Sequence, residues 1–206
     1  MSNEIYIVRH GQDEDNAHGI LNGHRDTPLT KVGSKQAREI ATKIEKARIV
    51  FDIILSSPLK RVYSTAQAIA ENQSAKIEIE PLLIERDFGV MTGKPLASII
   101  ELCSPDVLET EHINYFLCPE GAETFPDLVK RGEKLLAELK KKYNDKKILL
   151  VTHGDIGKMI YAAYSKKEWR SVLRDFHFGN SEMLILSTEY RRNPHIFKIK
   201  QFNKSK

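Results

Sequence analysis

The chain has 206 residues, of which 41% are hydrophobic, and it carries a formal net charge of +4. This length suits one globular domain, and no apolar run reaches the ~18 residues that a membrane-spanning helix needs. The charge is mild and dispersed, which argues against a nucleic-acid-binding surface, because such a surface usually has a clustered basic patch.

The first part of the chain alternates between short apolar runs and amphipathic segments. Residues 5–9 predict a strand, and Thr30 begins a helical pattern with apolar residues on one face. Residues 51–57 predict a buried strand. Residues 58–72 then predict a helix with proline in its first turn, and residues 75–80 alternate like a strand.

The pattern weakens between residues 81 and 124, where we expect loops, a short helix and a small cap insertion. Residues 125–143 predict a long amphipathic helix, residues 146–154 a strand that ends in histidine and glycine, and residues 155–164 another helix. The last predicted elements are two closing strands at 182–188 and 195–202. Nearly all-apolar strands that alternate with helices indicate an α/β fold with a mostly parallel central sheet. We expect a single domain over residues 1–206.

Composition also bears on the compartment and on partners. Cys103 and Cys118 are the only cysteines, and they do not form a close metal-type pair. They are interpreted as free thiols in a reducing compartment. The N-terminus has no basic region followed by an apolar one, so no signal peptide is expected. We therefore expect a cytoplasmic protein with a small-molecule ligand and with no nucleic-acid or membrane partner; a homodimer is left open.

Two predicted strands end in a histidine followed by a glycine, at His10 and His153. Ligands of open α/β sheets bind beyond the carboxyl ends of the strands, so both histidines are expected at one crevice. The glycine would let the chain turn and a ligand approach the backbone. Arg9 and Arg61 fall near the same edge. Two histidines and two arginines together are costly without an anion among them, so a phosphoryl group is the expected occupant.

Four segments in a fixed order connect the chain to a known family. They are RHG at 9–11 followed by Asn16, SSPLKRVYSTA at 56–66, ERDFG at 85–89, and VTHGD at 151–155. With these motifs the chain resembles the histidine phosphatase superfamily, in particular its phosphoglycerate-mutase-like phosphatases, from about Ile5 to Ser187. RHG alone would be a weak signal, whereas four ordered motifs are a strong one.

The resemblance implies a fold with helices on both sheet faces and a variable cap near the site. It also implies that His10 is the nucleophile and that Glu85 donates a proton to the leaving oxygen. The residues implied to bind the phosphoryl oxygens are Arg9, Arg61 and His153. Those predicted to assist in substrate binding are Asn16, Asn22, Gly23 and Gly154. The resemblance calls for no metal and no other cofactor.

The chemistry of these residue types agrees with the assignment. A histidine attacks phosphorus only when one ring nitrogen is unprotonated, and flanking arginines disfavour the imidazolium form. The transition state spreads charge over three oxygens, which requires several fixed donors. An alkoxide leaving group needs a proton, which the Glu85 carboxyl can supply before it activates water.

Each assignment has a structural alternative. The histidines could be strand-end residues satisfied by backbone, and the arginines could be solvated or ion-paired on the surface. Glu85 has the acidic neighbours Glu78, Glu80 and Asp87, so it could be one surface carboxylate among several. Asn16 could only cap a turn.

Two departures from the family pattern stand out. Many members carry threonine or serine three residues after the nucleophile, where this chain has Asp13, the first of three consecutive acidic residues. If Asp13 faces inward it should weaken anion binding, and if it faces outward it is harmless. The family's Gly-Glu-Ser segment appears here as GAET, which leaves the role of Glu123 open.

Hydrolysis of a small phosphorylated metabolite is favoured over a mutase reaction. Glycolytic mutases of the family carry a tyrosine three residues after the acid glutamate and an arginine pair in a longer cap. This chain has Phe88 at the first position and no adjacent arginines between Glu85 and His153. Mutase activity stays the alternative. A non-catalytic phosphate-binding regulator is a further one, although pure binding would need neither nucleophile nor acid.

Overall fold

The computed structural model of the chain describes residues 3–187 and 194–201. The strands are β1 (Glu4–Arg9), β2 (Ile53–Ser56), β3 (Lys76–Ile79), β4 (Val107–Glu109), β5 (Asn114–Phe116), β6 (Lys147–Thr152), β7 (Met183–Leu186) and β8 (His195–Phe197). The helices are α1 (Glu14–His18), α2 (Lys31–Lys46), α3 (Lys60–Ala70), α4 (Ile99–Cys103), α5 (Phe125–Lys142), α6 (Gly154–Ser165) and α7 (Trp169–Asp175). None of the helices in these two ranges is long and apolar enough to cross a membrane.

Six of the strands form one sheet in the order β3-β2-β6-β1-β7-β8. The first four are parallel to one another, β7 pairs antiparallel with β1, and β8 pairs antiparallel with β7 at the edge. The predicted mostly parallel sheet is therefore confirmed. In the central pair Arg9 lies opposite Thr152, and the His10 N–H donates to the Thr152 carbonyl at 2.9 Å. The chain consequently leaves β1 and β6 side by side, with His10 and His153 adjacent.

Apolar side chains cover both faces of this sheet, as expected for a parallel sheet buried on both sides. On one face, Ile7 and Leu150 pack in a cluster with residues of α5, α6 and α7. On the other face, Val8 and Val151 join a second cluster with residues of α2 and α3. The prediction that helices cover both faces of the sheet is thus confirmed.

Several predicted boundaries differ from the structure. Leu59 is in an extended conformation, so α3 begins at Lys60 and the predicted proline of its first turn, Pro58, lies outside the helix. Helix α7 was not predicted, because seven residues are too few for a clear helical period. The closing strands are shorter than expected, and Thr188 and Phe202 of those predictions lie outside the described residues.

The segment for which we expect a cap, 81–124, is built from short elements. It contains 3-10 turns at Pro81–Leu83, Gly89–Met91 and Leu96–Ser98, the single-turn α4 and the β4–β5 hairpin. The hairpin was missed because its three-residue strands are too short to show an alternating pattern. A small apolar cluster that includes Phe88, Met91 and Phe116 holds these pieces together.

Candidate active site

His10 follows β1 and is 98% buried, with 2% of its surface exposed. Its Nδ1 lies 2.7 Å from the carbonyl oxygen of Gly11. A carbonyl only accepts, so Nδ1 carries the hydrogen and Nε2 keeps its lone pair. Burial, together with the charges of Arg61 and Arg9, lowers the pKa of His10 well below its ordinary value. His10 is therefore a neutral imidazole with an unprotonated Nε2, the form that a nucleophile requires.

His153 follows β6, and its ring centroid lies 5.1 Å from that of His10. Its Nδ1 is 3.2 Å from Nη2 of Arg61, and its Nε2 is 2.9 Å from Oγ of Ser57. A guanidinium only donates, so Nδ1 accepts from Arg61 and the Nε2–H donates to Ser57. Burial, and then the charge of Arg61, lowers the pKa of His153 well below its ordinary value. The ring is neutral and held at both nitrogens.

Two guanidinium groups accompany the histidines. Arg61, in the first turn of α3, is fully buried and donates from Nη2 to the carbonyl of Gly23 at 2.9 Å. Arg9 donates from Nη1 to the carbonyl of Phe178 at 2.7 Å. In the described ranges, both Nε atoms are among the few buried side-chain polar atoms without a hydrogen-bond partner. Buried donors are normally satisfied, so these two N–H groups indicate a place for an anion.

The side chain of Glu85 lies against the first turn of α6. Its Oε1 accepts from the backbone N–H groups of Arg86 at 2.9 Å and Ile156 at 3.2 Å, and its Oε2 from those of Gly154 at 3.1 Å and Asp155 at 3.4 Å. These amides favour the carboxylate. Burial opposes them, and with the Asp155 charge it raises the pKa of Glu85. A carboxyl whose pKa is raised keeps its proton to higher pH, which suits a general acid.

Asp13 faces inward and is fully buried. Its Oδ1 accepts from the backbone N–H of Asn16 at 2.7 Å, which caps α1. Its Oδ2 accepts from Nδ2 of Asn22 at 2.7 Å and lies 3.2 Å from Nε of Arg61, close enough for an ion pair although the N–H is not aligned for a hydrogen bond. The sequence left the direction of this side chain open, and the structure places it inside the site.

The four residues predicted to assist in substrate binding all lie around this site and bond to protein groups. Asn16 Oδ1 accepts from Nδ2 of Asn180 at 3.0 Å. Asn22 donates to Asp13, the Gly23 carbonyl accepts from Arg61, and the Gly154 N–H donates to Glu85. Their contacts with a substrate stay predictions.

Glycine is required after His10 for a different reason from the one expected. A Cβ atom at Gly11 would lie 2.3 Å from the carbonyl oxygen of Gly33, and one at Gly33 would lie 1.9 Å from that of Gln12. Both distances are far below van der Waals contact. Gly11 therefore allows the backbone of α2 to approach the loop after β1; the neighbour that fills this space is protein and not a ligand.

Buried and paired charges surround Glu85 on the side of the segment 81–124. Arg86 is 1% exposed and donates from Nε to Oδ2 of Asp155 at 2.9 Å. The rings of three phenylalanines, two from the segment 81–124 and one from α5, lie around its guanidinium group. Arg131 forms a two-point ion pair with Glu123, at 3.0 and 2.7 Å, and donates to the Glu85 carbonyl at 3.1 Å. Glu123, whose role the sequence left open, thus holds Arg131 against the backbone of Glu85.

The pattern of one protein family extends over nearly the whole chain. The sequence profile described as histidine phosphatase superfamily (branch 1) matches residues 5–201. The chain belongs to this superfamily.

Individual superfamily members resemble the chain over most of its length. Phosphoserine phosphatase 1 of Hydrogenobacter thermophilus is 29% identical, with 92% of this chain and 89% of that protein covered. The 2,3-bisphosphoglycerate-dependent phosphoglycerate mutase of Rhizobium etli is 33% identical, with coverages of 73% and 75%. Among solved structures, a mycobacterial glucosyl-3-phosphoglycerate phosphatase superposes with a TM-score of 0.76, 25% identity and 90% coverage of both chains.

Sequence reasoning within the superfamily motifs missed three contributors to the site. Ser57 lies in the 56–66 motif, but only the structure shows its hydroxyl at His153. Asn180 lies outside every motif, yet it donates to the carbonyl of His10 at 3.0 Å. His24 also lies outside the four motifs, and its partly exposed side chain places Nε2 2.8 Å from the Glu85 carbonyl.

Proposed function

We propose that the chain hydrolyses phosphomonoesters of small metabolites through a phosphohistidine on Nε2 of His10. One observation carries this proposal. The neutral His10, with its unprotonated Nε2, lies at the strand ends within the influence of the charges of Arg9 and Arg61. The buried Nε–H groups of these arginines have no hydrogen-bond partner, although that of Arg61 lies within ion-pair distance of Asp13. A phosphoryl group supplies the anionic oxygens that these donors need and the electrophile that the nitrogen attacks.

The proposed reaction has two steps. Nε2 attacks phosphorus while the bond to the ester oxygen breaks, and the Glu85 carboxyl transfers its proton to that oxygen. The resulting Glu85 carboxylate then takes a proton from water, whose oxygen attacks the phosphohistidine and releases inorganic phosphate. The raised pKa of Glu85 supports the first role, and its backbone N–H partners support the ionised form in the second.

Charge stabilisation is assigned to Arg9, Arg61 and His153. The guanidinium groups supply fixed positive charge to the phosphoryl oxygens, and His153 holds Nη2 of Arg61 in place. No metal ion or cofactor has a part in this proposal. We further propose that the segment 81–124 acts as a cap and shapes the space around the leaving group.

A small phosphorylated hydroxy acid is the first substrate class to test. Two of the relatives described above are named for phosphoserine and for a phosphoglycerate derivative. A sugar phosphate, a cobalamin-precursor phosphate and a nucleotide complete the panel. The assay measures release of inorganic phosphate and compares the resulting kcat/KM values among the esters. Hydrolysis of p-nitrophenyl phosphate shows whether the protein turns over any phosphomonoester. If the folded protein binds phosphate but hydrolyses none of these esters, the non-catalytic regulator is the better description.

Mutase activity is the second candidate, because a phosphoglycerate mutase is among the relatives. Phe88 is 7% exposed, packs edge-on against Phe116 and has no hydroxyl to offer a substrate. Incubation with 3-phosphoglycerate and catalytic 2,3-bisphosphoglycerate separates the two reactions. A mutase would form 2-phosphoglycerate faster than inorganic phosphate, whereas the proposed hydrolase would release phosphate.

A further inference from the structure

The carboxylate of Asp13 takes no part in the two steps proposed above, although it lies among the residues that carry them out. Its Oδ2 is 3.2 Å from Nε of Arg61 and 3.8 Å from Nδ1 of His10. The side chain is fully buried, so solvent does not screen its charge from these neighbours.

The balance of charge makes this position consequential. A phosphomonoester is a dianion at neutral pH, and the cations assigned to it are Arg9 and Arg61. With Glu85 protonated as the acid and Asp13 ionised, these two carboxyl groups and the two arginines together carry a single net positive charge. When Asp13 is also protonated, two positive charges face the two negative charges of the phosphoryl group. A like charge within about 4–6 Å strongly disfavours an anion.

We propose that Asp13 is a positioning residue that sets the affinity of the site for dianions through Arg61. Ionised, it holds the guanidinium and repels the phosphoryl group. Protonated, it no longer offsets the positive charge of Arg61, and it offers its own O–H as a further donor, as a threonine or serine hydroxyl at this position would. This inference rests on the proposed phosphoryl site, and it predicts a pH dependence that Glu85 does not explain.

The direction of the pH dependence follows from the groups that face Asp13. Burial raises its pKa, and the neighbouring Asp15 carboxylate acts in the same sense. Arg61, Arg9 and the N–H of Asn16 act in the opposite sense, and the neutral His10 adds no charge. The charges of Glu85 and Asp26 act on the neighbouring Arg61. Anion affinity is therefore highest when Asp13 is protonated, and it falls as the pH rises through this raised pKa.

Sulfate is the probe, because it stays dianionic throughout the range in which carboxyl groups titrate. Calorimetry measures its Kd between about pH 5 and about pH 8, and the measurement needs no turnover. The variants are Asp13→Asn and Asp13→Thr, which remove the charge and keep an oxygen that can cap α1. Asp15→Asn is the matched control. It also removes a buried carboxylate of α1, but that carboxylate pairs with Arg25 at 2.9 Å. All titrations are repeated with Glu85→Gln, which eliminates the titration of Glu85.

In the wild type and in Glu85→Gln, sulfate should bind more weakly as the pH rises. Both Asp13 variants should bind it about tenfold more tightly than the wild type at neutral pH, with the curves converging at the acidic end. Asp15→Asn should keep the slope of the wild type. Parallel curves for wild type and Asp13 variants, or the same gain in Asp15→Asn, would overturn the role of Asp13.

Circular dichroism establishes that each variant is folded. If neither Asp13 variant folds, the pH dependence of sulfate binding by Glu85→Gln is the deciding measurement. A sulfate Kd that does not change with pH in that variant would mean that no second carboxyl titrates at the anion site, which would overturn the role of Asp13. Absence of sulfate binding at every pH in every protein would contradict the phosphoryl site itself, and with it both this inference and the proposed function.

Discussion

The ends of β1 and β6 carry the same two residues, a histidine and then a glycine, but the two rings are held differently. His10 bonds through Nδ1 to its own backbone neighbour Gly11, and its Nε2 has no hydrogen-bond partner among the described residues. His153 is held at both nitrogens by side chains from other elements, Arg61 and Ser57. A shared motif therefore gives one ring with a free lone pair and one that is anchored, and hydrogen bonding separates their roles.

The strongest test of this difference is His10→Ala, which removes the free lone pair. Turnover of every ester should fall by several orders of magnitude, because His10 is the group proposed to accept the phosphoryl group. Rapid quenching of the wild type should show acid-labile, alkali-stable phosphate on the protein, and the variant should show none. The control is His18→Ala, since His18 is exposed and bonds only to the Glu14 carbonyl. Substantial activity in His10→Ala would contradict the phosphohistidine.

The next largest effect is expected from Glu85→Gln, which keeps the size of the side chain at the start of α6 and removes its proton. General acid catalysis is typically worth ~10²–10⁴-fold, so phosphorylation by an alkyl phosphate should slow by about that much. A nitrophenyl ester should lose far less in that step, because its leaving group needs little protonation. Burst kinetics separates this step from hydrolysis, where phosphoenzyme should accumulate in the variant.

The pH profile sharpens the same test. Glu85 donates only while protonated, and burial raises its pKa, so the alkyl rate should decline as the pH rises through that value. The variant should lack this decline in the phosphorylation step. Equal losses for both leaving groups would move the acid role to another carboxyl. Asp87 would be the first to test, since Glu123 is paired with Arg131.

A smaller effect should follow from Ser57→Ala, which releases one of the two nitrogens of His153. A single hydrogen bond contributes about 0.5–1.5 kcal/mol, so kcat/KM should fall by about 2- to 10-fold. The control is Ser56→Ala, because the neighbouring Ser56 is also buried but bonds to the Ser57 carbonyl. A loss as large as that of His10→Ala would mean that His153 takes a direct part in phosphoryl transfer, and the contrast between the two rings would be wrong.

The smallest effect is expected from a chelator. The positive charge at both strand ends is assigned to Arg9 and Arg61, so prolonged dialysis against EDTA should leave the rate unchanged. Loss of activity that a divalent ion restores would show that a metal ion supplies part of the stabilisation.

The sequence predicted the elements that form the sheet well, because each has a strong local pattern. The apolar runs of β1, β2 and β6 and the amphipathic face of α2 are buried as their periodicity indicates. Helix α7 and the β4–β5 hairpin were missed for the opposite reason. Elements of seven and three residues do not contain enough periods to be recognised, and contacts with the rest of the protein determine them.

The candidate site shows a similar division. The strand ends predicted that His10, His153 and Arg61 meet, because parallel strands bring their carboxyl ends to one edge. The family resemblance added Glu85. Neither predicted which ring nitrogen is free or that Asp13 points inward. Those properties depend on partners such as Ser57 and Asn22, which reach the site from other segments of the chain.

The close contact between Gly11 and Gly33 has a consequence for how tolerance to mutation should be interpreted. A methyl group at Gly33, in the first turn of α2, would collide with the Gln12 carbonyl and displace the loop that carries the nucleophile. In a random-mutagenesis screen scored by activity, position 33 would be as intolerant as a catalytic position, although its residue has no side chain to react. High intolerance at position 33 would therefore result from close backbone packing and not from a catalytic role.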